Sequence, residues 1–529
     1  MSGTLYFGDN LDVLREHVAD ASVDLIYLDP PFNSKATYAI LFRSPDGSKS
    51  SSQIKAFEDT WSWNDSSEQA FDDVMGAGRT DVANLLRSMR QFLGDNDMMA
   101  YLAMMSERCL DMHRVLKATG SLYLHCDPTA SHYLKLILDA VFGVKQFRNE
   151  IVWRRARGHY DRRLAKFGAI HDTILYYSKS DARRFNPTLL EREGNAPRTH
   201  DLFVHTDGKL YRKGDCRAPG NRGPLYDWNG HSFHWRFSPE ERDRLIAEDR
   251  IVYTRNGMPR VLRPIDRARG TPLQDIWTDI DALNAGSAEI LGYPTQKPVA
   301  LLERIIASST EPGDVVLDPF CGCGTAVHAA QKLRRQWIGI DVTPLAINLI
   351  ARRLGEAFPA VLFNVRGIPR DMDGARELAL RDKHLFQLWC VDLVDAQPYR
   401  DGRKGADGGI DGLIYFKPDG GTTRAVIVSV KEGAHVGVGQ IKDLHATLIR
   451  TQEPMGLFVT LTPPTRPMER EAAAGLYDAG HHRVPRIQIL TVEQLLQGLR
   501  PKIPFGHTMS FKRTARERDR AAQPRLDLG

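Results

Sequence analysis

The chain has 529 residues, 42% hydrophobic and 26% charged, with a formal net charge of +5. Such a length exceeds one compact core and points to two or three domains, and the mild positive balance suits an anionic partner without demanding one. The six cysteines (Cys109, Cys126, Cys216, Cys321, Cys323 and Cys390) include no C-x-x-C pair, which argues against a zinc site or a disulfide framework. The start, "MSGTLYFGDN", lacks a basic n-region and an apolar h-region, and no apolar run approaches the about 18–20 residues of a membrane span. The expectation is a soluble cytoplasmic protein with no membrane contact.

In chain order, residues 5–8 and 23–28 read as buried strands, followed by the acids Asp9 and Asp29. The stretch "SPDGSKSSSQIKAFEDTWSWNDSS" reads as loop by its Ser, Gly and Asp content. Residues 80–117 carry helical periodicity, "GSLYLHCD" is a strand closing on an acid, and "HYLKLILDAVFG" is an amphipathic helix stopped by Gly143. "NEIVWRR" and "HDTILYYSKS" read as two more strands. Residues 181–290 turn rich in Arg, Gly, Pro, His and Trp with little periodicity. Alternation then returns: "KPVALLERIIASS" helix, "DVVLDPF" strand, "AVHAAQKLRR" helix, "QWIGID" strand, "PLAINLIARRL" helix. Such alternation implies a parallel sheet covered by helices. Residues 366–379, containing "GIPRDMDGARE", read as a linker. Beyond it, 380–500 alternates on its own and forms a smaller α/β unit, and 501–529 is a basic polar tail, expected to be mobile.

Two places carry chemistry. In "DLIYLDPPFNSK" an apolar strand stops on Asp29-Pro30-Pro31-Phe32. Proline lacks an N–H and fixes φ, so the pair freezes a short loop that holds Asp29 at the lip of the sheet, where open α/β sheets bind ligands. A rigid turn would explain this stretch taken alone. In "VVLDPFCGCGTA" a strand passes through a Gly-rich turn into a helix; Gly322 and Gly324 lack Cβ atoms, which allows close approach to backbone and helix N-terminus. The spacing is neither G-x-G-x-x-G nor a P-loop, which disfavours hydride and nucleoside-triphosphate chemistry. Asp341 ends the next strand, where an acid can accept from both hydroxyls of a ribose. A structural turn followed by a chance acid is the alternative.

D-P-P-F, with "GYPTQKP" and F-C-G-C-G downstream, resembles the S-adenosylmethionine-dependent amino-methyltransferases of DNA, in the permuted order where the catalytic motif precedes the cofactor motif. The resemblance covers residues 3–356 and includes "GDNLDVL", "NEIVWRR", "HDTILYYSKS", "PTQKPVALLERII" and "WIGIDVTPLAI". It implies that Asp318, Phe320, Gly322 and Gly324 hold the methionine part of S-adenosylmethionine, that Asp341 takes the ribose, that Asp9 and Asn10 border the adenine, and that Lys297 with its neighbours closes over the methionine end. Asp29 and the Pro30 carbonyl would accept the hydrogens of an exocyclic amine, with Phe32 offering a stacking face. Asp at position 29 favours the N(6) amine of adenine over the N(4) amine of cytosine. The insert at about 181–290 would read double-stranded DNA, and the candidate contacts are Arg222, Trp235 and Arg236 within it and Arg154 and Arg155 after the "NEIVW" strand.

"GRKGADGGIDGLIYF…RAVIVSVKEG" resembles the Mrr-like branch of the restriction-endonuclease fold over 380–495. There Asp411 fits the metal-binding acid and Lys431 the lysine of [E/D/Q]-x-K, whereas position 429 is Ser, a weak ligand; Asp407 or Glu432 is a substitute acid. Mg²⁺ is expected only if this domain is an active nuclease, and a decayed nuclease kept for DNA binding fits equally. The reading is therefore a site-specific DNA adenine methyltransferase of a restriction–modification system. Its alternatives are an N(4)-cytosine enzyme, a combined methyltransferase and endonuclease, or a non-catalytic DNA-binding protein. A homodimer or a restriction-system partner is compatible with it. The fold expected is α/β: a Rossmann-like seven-stranded methyltransferase sheet over 1–365 with its target-recognition insert, plus a restriction-endonuclease-like domain over 380–500.

Overall fold

The computed structural model describes residues 3–31, 38–43, 49–57, 63–156, 167–190, 202–204, 210–264, 271–284, 286–287, 289–291, 293, 295–399, 409–417, 423–433, 436–479, 482–504 and 517. Two compact units emerge: Met1–Asn186 with Asp275–Gly529, and Pro187–Gln274.

The first unit is organised by a nine-stranded sheet. Its strands in chain order are β1 (Gly3–Phe7), β2 (Val23–Leu28), β3 (Leu116–Cys126), β4 (Phe147–Arg154), β5 (His171–Ser178), β6 (Ile276–Trp277), β7 (Val315–Asp318), β8 (Gln336–Asp341) and β9 (Phe363–Arg366). In space they run β6-β4-β5-β3-β2-β7-β8-β1-β9. Only β5 runs antiparallel to its neighbours β3 and β4; the other pairs are parallel. The seven strands expected from sequence are therefore present, and β6 and β9 extend the sheet at its two edges. The late strands β7 and β8 lie between the early strands β2 and β1, so residues some three hundred positions apart share one rim.

Central strands must be apolar on both faces, and all six residues of β2 are buried. Its one charge, Asp24, is satisfied by the Lys117 ammonium at 2.7 Å and the Val315 N–H at 2.9 Å. Helices α1 (Asn10–His17), α2 (Asp97–Val115), α3 (Ser131–Phe142), α4 (Val299–Ser309), α5 (Thr325–Lys332) and α6 (Pro344–Ala357) accompany the sheet. None of the helices among the described residues is long and apolar enough to cross a membrane.

Two expectations change. The Ser-rich stretch at 44–67 is not all loop: Tyr38–Arg43 and Lys49–Phe57 form an antiparallel hairpin, and a helix begins at Asp65. Hairpin pairing is made by backbone groups and needs no apolar pattern. Helix α7 (Met372–Arg381) begins within the stretch read as linker and runs past its end, its first turn capped by Asp371 accepting from the Gly374 N–H at 2.9 Å. Helix α8 (Lys383–Leu393) follows at once. The tail beyond residue 504 lies outside the described residues except for Glu517.

The C-terminal sheet runs Gln397–Pro398, β10 (Gly412–Phe416), β11 (Arg424–Lys431), β12 (Met455–Thr460) and β13 (Ile487–Thr491), antiparallel as far as β11 and parallel beyond. Helix α9 (Val438–Thr451) makes the β11–β12 crossover. The second unit, by itself, holds a four-stranded antiparallel sheet ordered 251–253, 259–264, 210–215, 202–204, with a small core of Cys216, Trp228, Trp235, Leu245, Ile251 and Val261.

Candidate active site at the rim of the large sheet

Register brings the acids together. Asp318 ends β7 opposite Gly339 of β8, Asp341 ends β8 opposite Phe7 of β1, and Leu317 of β7 faces Ile26 of β2, three residues before Asp29. Lys297, from the segment leading into α4, places its ammonium 2.5 Å from Asp29 Oδ2. This ion pair ties the D-P-P stretch to T-Q-K-P across 268 positions, with both side chains largely buried. Asp29 Oδ1 has no protein donor among the described residues. Pro30 is buried and Pro31 half-buried; Phe32 lies outside the described residues.

Asp318 is 4% exposed and, among the described residues, accepts only the Phe320 N–H, through Oδ1 at 3.1 Å. Burial pushes its carboxyl well above the ordinary value; that N–H and Lys297 oppose the rise, while Asp29 and Asp341 add to it. Asp341 is better provided for: Oδ2 accepts from the Gly322 N–H at 2.9 Å, and Oδ1 from the N–H and hydroxyl of Thr343. Burial still raises it to about 6.

The two glycines have distinct reasons. Gly322 (φ 49°) and Gly324 (φ 73°) both adopt left-handed backbone, and a Cβ on Gly324 would meet Ile350 at 2.6 Å, so close helix packing as well as ligand approach requires it. Over Gly322 lies Tyr293, whose buried hydroxyl has no partner among the described residues. Beneath the loop, Arg353 of α6 donates to the Cys323 carbonyl at 2.9 Å.

Asp9 caps α1 by accepting from the Leu11 N–H, and Asn10 Nδ2 donates to the Pro319 carbonyl at 2.8 Å, joining the loop after β1 to the glycine loop. Both are gripped by Arg108 of α2, which donates to Asn10 Oδ1 at 2.6 Å and to both Asp9 oxygens at 2.9 Å. Sequence reading missed Arg108, since nothing in "MSERCLDMHRV" separates it from a surface arginine.

It also missed a buried polar chain behind Asp29. The Tyr27 hydroxyl lies 3.0 Å from His125 Nδ1, His125 Nε2 lies 3.1 Å from Asp172 Oδ2, and Arg155 Nε lies 2.9 Å from Asp172 Oδ1. Burial raises Asp172, but the His125 hydrogen bond with Lys297 and Arg155 outweighs it and holds the carboxyl below its usual range. A buried histidine in "LYLHCD" was the available signal, because such a group needs a partner.

The candidate DNA contacts divide. Arg154 donates to the Thr278 carbonyl at 2.7 Å and Arg155 pairs with Asp172, so both are engaged by the protein, though partly exposed. Arg222 and Arg236 are exposed. Trp235 is a correction: it is fully buried, its indole N–H donating to the Tyr226 carbonyl, and it holds the core of the second unit instead of facing a base.

In the C-terminal sheet, Asp411 Oδ2 accepts from the Val430 N–H at 2.7 Å and lies 3.8 Å from Lys431 Nζ. Ser429 is buried between them on β11. Among the described residues no three His, Cys, Asp or Glu side chains gather to hold a metal; Asp407 lies outside them. Glu432, the other substitute acid, lies 3.9 Å from the Lys383 ammonium, and among the described residues the Asp411 carboxylate, Ser429 hydroxyl and Lys431 ammonium do not by themselves fit a divalent cation.

A DNA methylase family model matches residues 23–352, well over half of the chain, and the chain belongs to that family. A restriction endonuclease model matches residues 380–497. Type II methyltransferase M.EcaI of Enterobacter cloacae is 31% identical over 261 residues, 48% of this chain and 57% of that protein. The Mod subunit of the Type III restriction-modification enzyme StyLTI of Salmonella typhimurium is 27% identical over 377 residues, covering 66% and 54%. DNA adenine methyltransferase YhdJ of Escherichia coli is 25% identical over 362 residues, covering 67% and 83%. The chain spans little more than half the length of the first two relatives. Among solved structures, a DNA modification methylase from Thermus thermophilus aligns over 69% of this chain and 99% of its own, at 17% identity and a TM-score of 0.35.

Proposed function

We propose that the chain transfers a methyl group from S-adenosylmethionine to the exocyclic N(6) amine of an adenine at a specific site in double-stranded DNA. The observation that carries this reading is the Lys297–Asp29 ion pair at the rim, one strand away from Asp318 and the glycine loop. Family membership and the adenine-specific relative support it.

The site fits the cofactor on its own features: among the described residues the buried Tyr293 hydroxyl has no partner and Asp318 accepts a single N–H, and the glycine loop leads into a helix N-terminus. When bound, the cofactor supplies a methyl already activated on a sulfonium. The chain's own part is positional and electrostatic. Lys297 occupies Asp29 Oδ2 and so orients Oδ1, which accepts a hydrogen of the target amine; the Pro30 carbonyl accepts the other. Two acceptors favour a pyramidal nitrogen and release its lone pair from the ring. The base must leave the duplex stack to reach this rim.

The test is methylation-aware sequencing of DNA from cells expressing the chain or its Asp29→Ala variant. N(6)-methyladenine at one sequence, absent with the variant, supports the reading. N(4)-methylcytosine instead moves the target to cytosine. Unmodified DNA from the intact chain overturns the reading.

A further inference from the structure

Asp318 combines three properties that do not sit together at rest. It is 4% exposed, among the described residues only one of its oxygens has a protein donor, and two further carboxylates, Asp29 and Asp341, act on it. The groups acting on it are Asp29 and Tyr27 on β2 and the loop after it, Asp341 on β8, Lys297 from the segment before α4, and Cys321 on its own loop. Lys297 is the one cation in that set, and it is paired with Asp29 at 2.5 Å. Asp341 has three donors where Asp318 has one. An ionised carboxylate with one hydrogen bond and two anionic neighbours is costly in a dry site.

We propose that Asp318 is held as the neutral acid in the free chain and gives up its proton when a ligand bearing fixed positive charge enters, so that cofactor binding is coupled to proton release. The O–H bond breaks, its electron pair stays on the carboxylate, and the proton passes to the solvent buffer. This rests on the cofactor reading above and deepens it. S-adenosylmethionine brings a sulfonium and an ammonium; S-adenosylhomocysteine, left after transfer, keeps only the ammonium. The site therefore selects donor over product by charge, and the selection strengthens as pH rises, because less proton must be displaced. The direction of the burial shift on Asp318 agrees.

The experiment is isothermal calorimetry of the full chain with each nucleoside, in two buffers of different ionisation enthalpy, from mildly acidic to mildly alkaline pH. The expected result is proton release with S-adenosylmethionine, less with S-adenosylhomocysteine, and donor affinity rising by up to about tenfold per pH unit before levelling. Asp318→Asn should abolish the release and flatten the pH dependence. Tight binding with equal heats in both buffers overturns the proton linkage alone. Release that survives Asp318→Asn assigns the proton to Asp341 and also overturns it. If neither nucleoside binds, the donor reading falls and takes the linkage with it.

Discussion

The large-sheet rim and the C-terminal centre use the same ingredients, an acid at a strand end and a lysine, and arrive at opposite conditions. At the rim, Asp29, Asp318 and Asp341 sit at the ends of neighbouring parallel strands, and among the described residues one lysine lies among them and carboxylate oxygens remain unpartnered. In the C-terminal sheet, Asp411 is taken up by the Val430 N–H and by Lys431, and the position between them on β11 is a buried serine. Among the described residues the rim has acceptors in excess of donors, whereas Asp411 has both an N–H and an ammonium beside it. A motif's residue types do not tell which of these states a site is in. The number of partners each polar atom finds does.

The comparison breaks most sharply at Asp29. Asp29→Ala should lower methyl transfer by about 10³-fold or more while changing cofactor affinity only a few-fold, read by labelled-methyl incorporation beside calorimetry. Transfer retained in that variant removes the rim from the chemistry. Gly324→Ala comes next: a left-handed φ and Ile350 at 2.6 Å should cost about 2–4 kcal/mol in denaturant unfolding, with cofactor binding weakened alongside. A variant as stable as the parent would show that the loop has room.

A smaller effect follows from Asp341. Folding raises its carboxyl from an ordinary 3.8 to about 6 by burial, so the native chain takes up a proton that the unfolded chain does not hold. Asp341 should therefore cost the ligand-free protein stability as pH rises from about 4 through about 6, by at most about 3 kcal/mol, and Asp341→Asn should remove that part of the slope while the part due to Asp318 remains. Smallest is the gain at the C-terminal centre. Ser429→Glu supplies a carboxylate on β11 beside Asp411 and should bring Mg²⁺-dependent cleavage of unmodified DNA above the parent's level, an effect that Lys431→Ala then abolishes. Cleavage that persists after Lys431→Ala would place any nuclease site elsewhere.

Much of the rim could be read before any coordinates, for a local reason. Pro30, Pro31, Gly322 and Gly324 restrict or free the backbone wherever they stand, so the loops they make are announced by residue type. The parallel sheet was equally readable, because buried strands must be continuously apolar. Misreadings arose where composition stood in for facing. Trp235 lies in an Arg- and Trp-rich stretch that suits DNA, yet its ring is the core of a small sheet. The Ser-rich stretch near residue 50 pairs as a hairpin through backbone groups that no side-chain pattern reports.

By itself the sequence determined the alternation of strand and helix, the acids at the strand ends and the two stiffened or loosened loops, because each depends on a residue's own conformational limits and hydrophobicity. Tertiary structure alone decided that Lys297 pairs its charge with Asp29, that Arg108 clasps Asp9 and Asn10, and that Tyr27, His125 and Asp172 line up behind the rim. Those contacts join residues 47 to 268 positions apart. Hydrogen bonds and ion pairs act over a few ångströms in space, and only the order of strands in the sheet says which distant residues come within that reach.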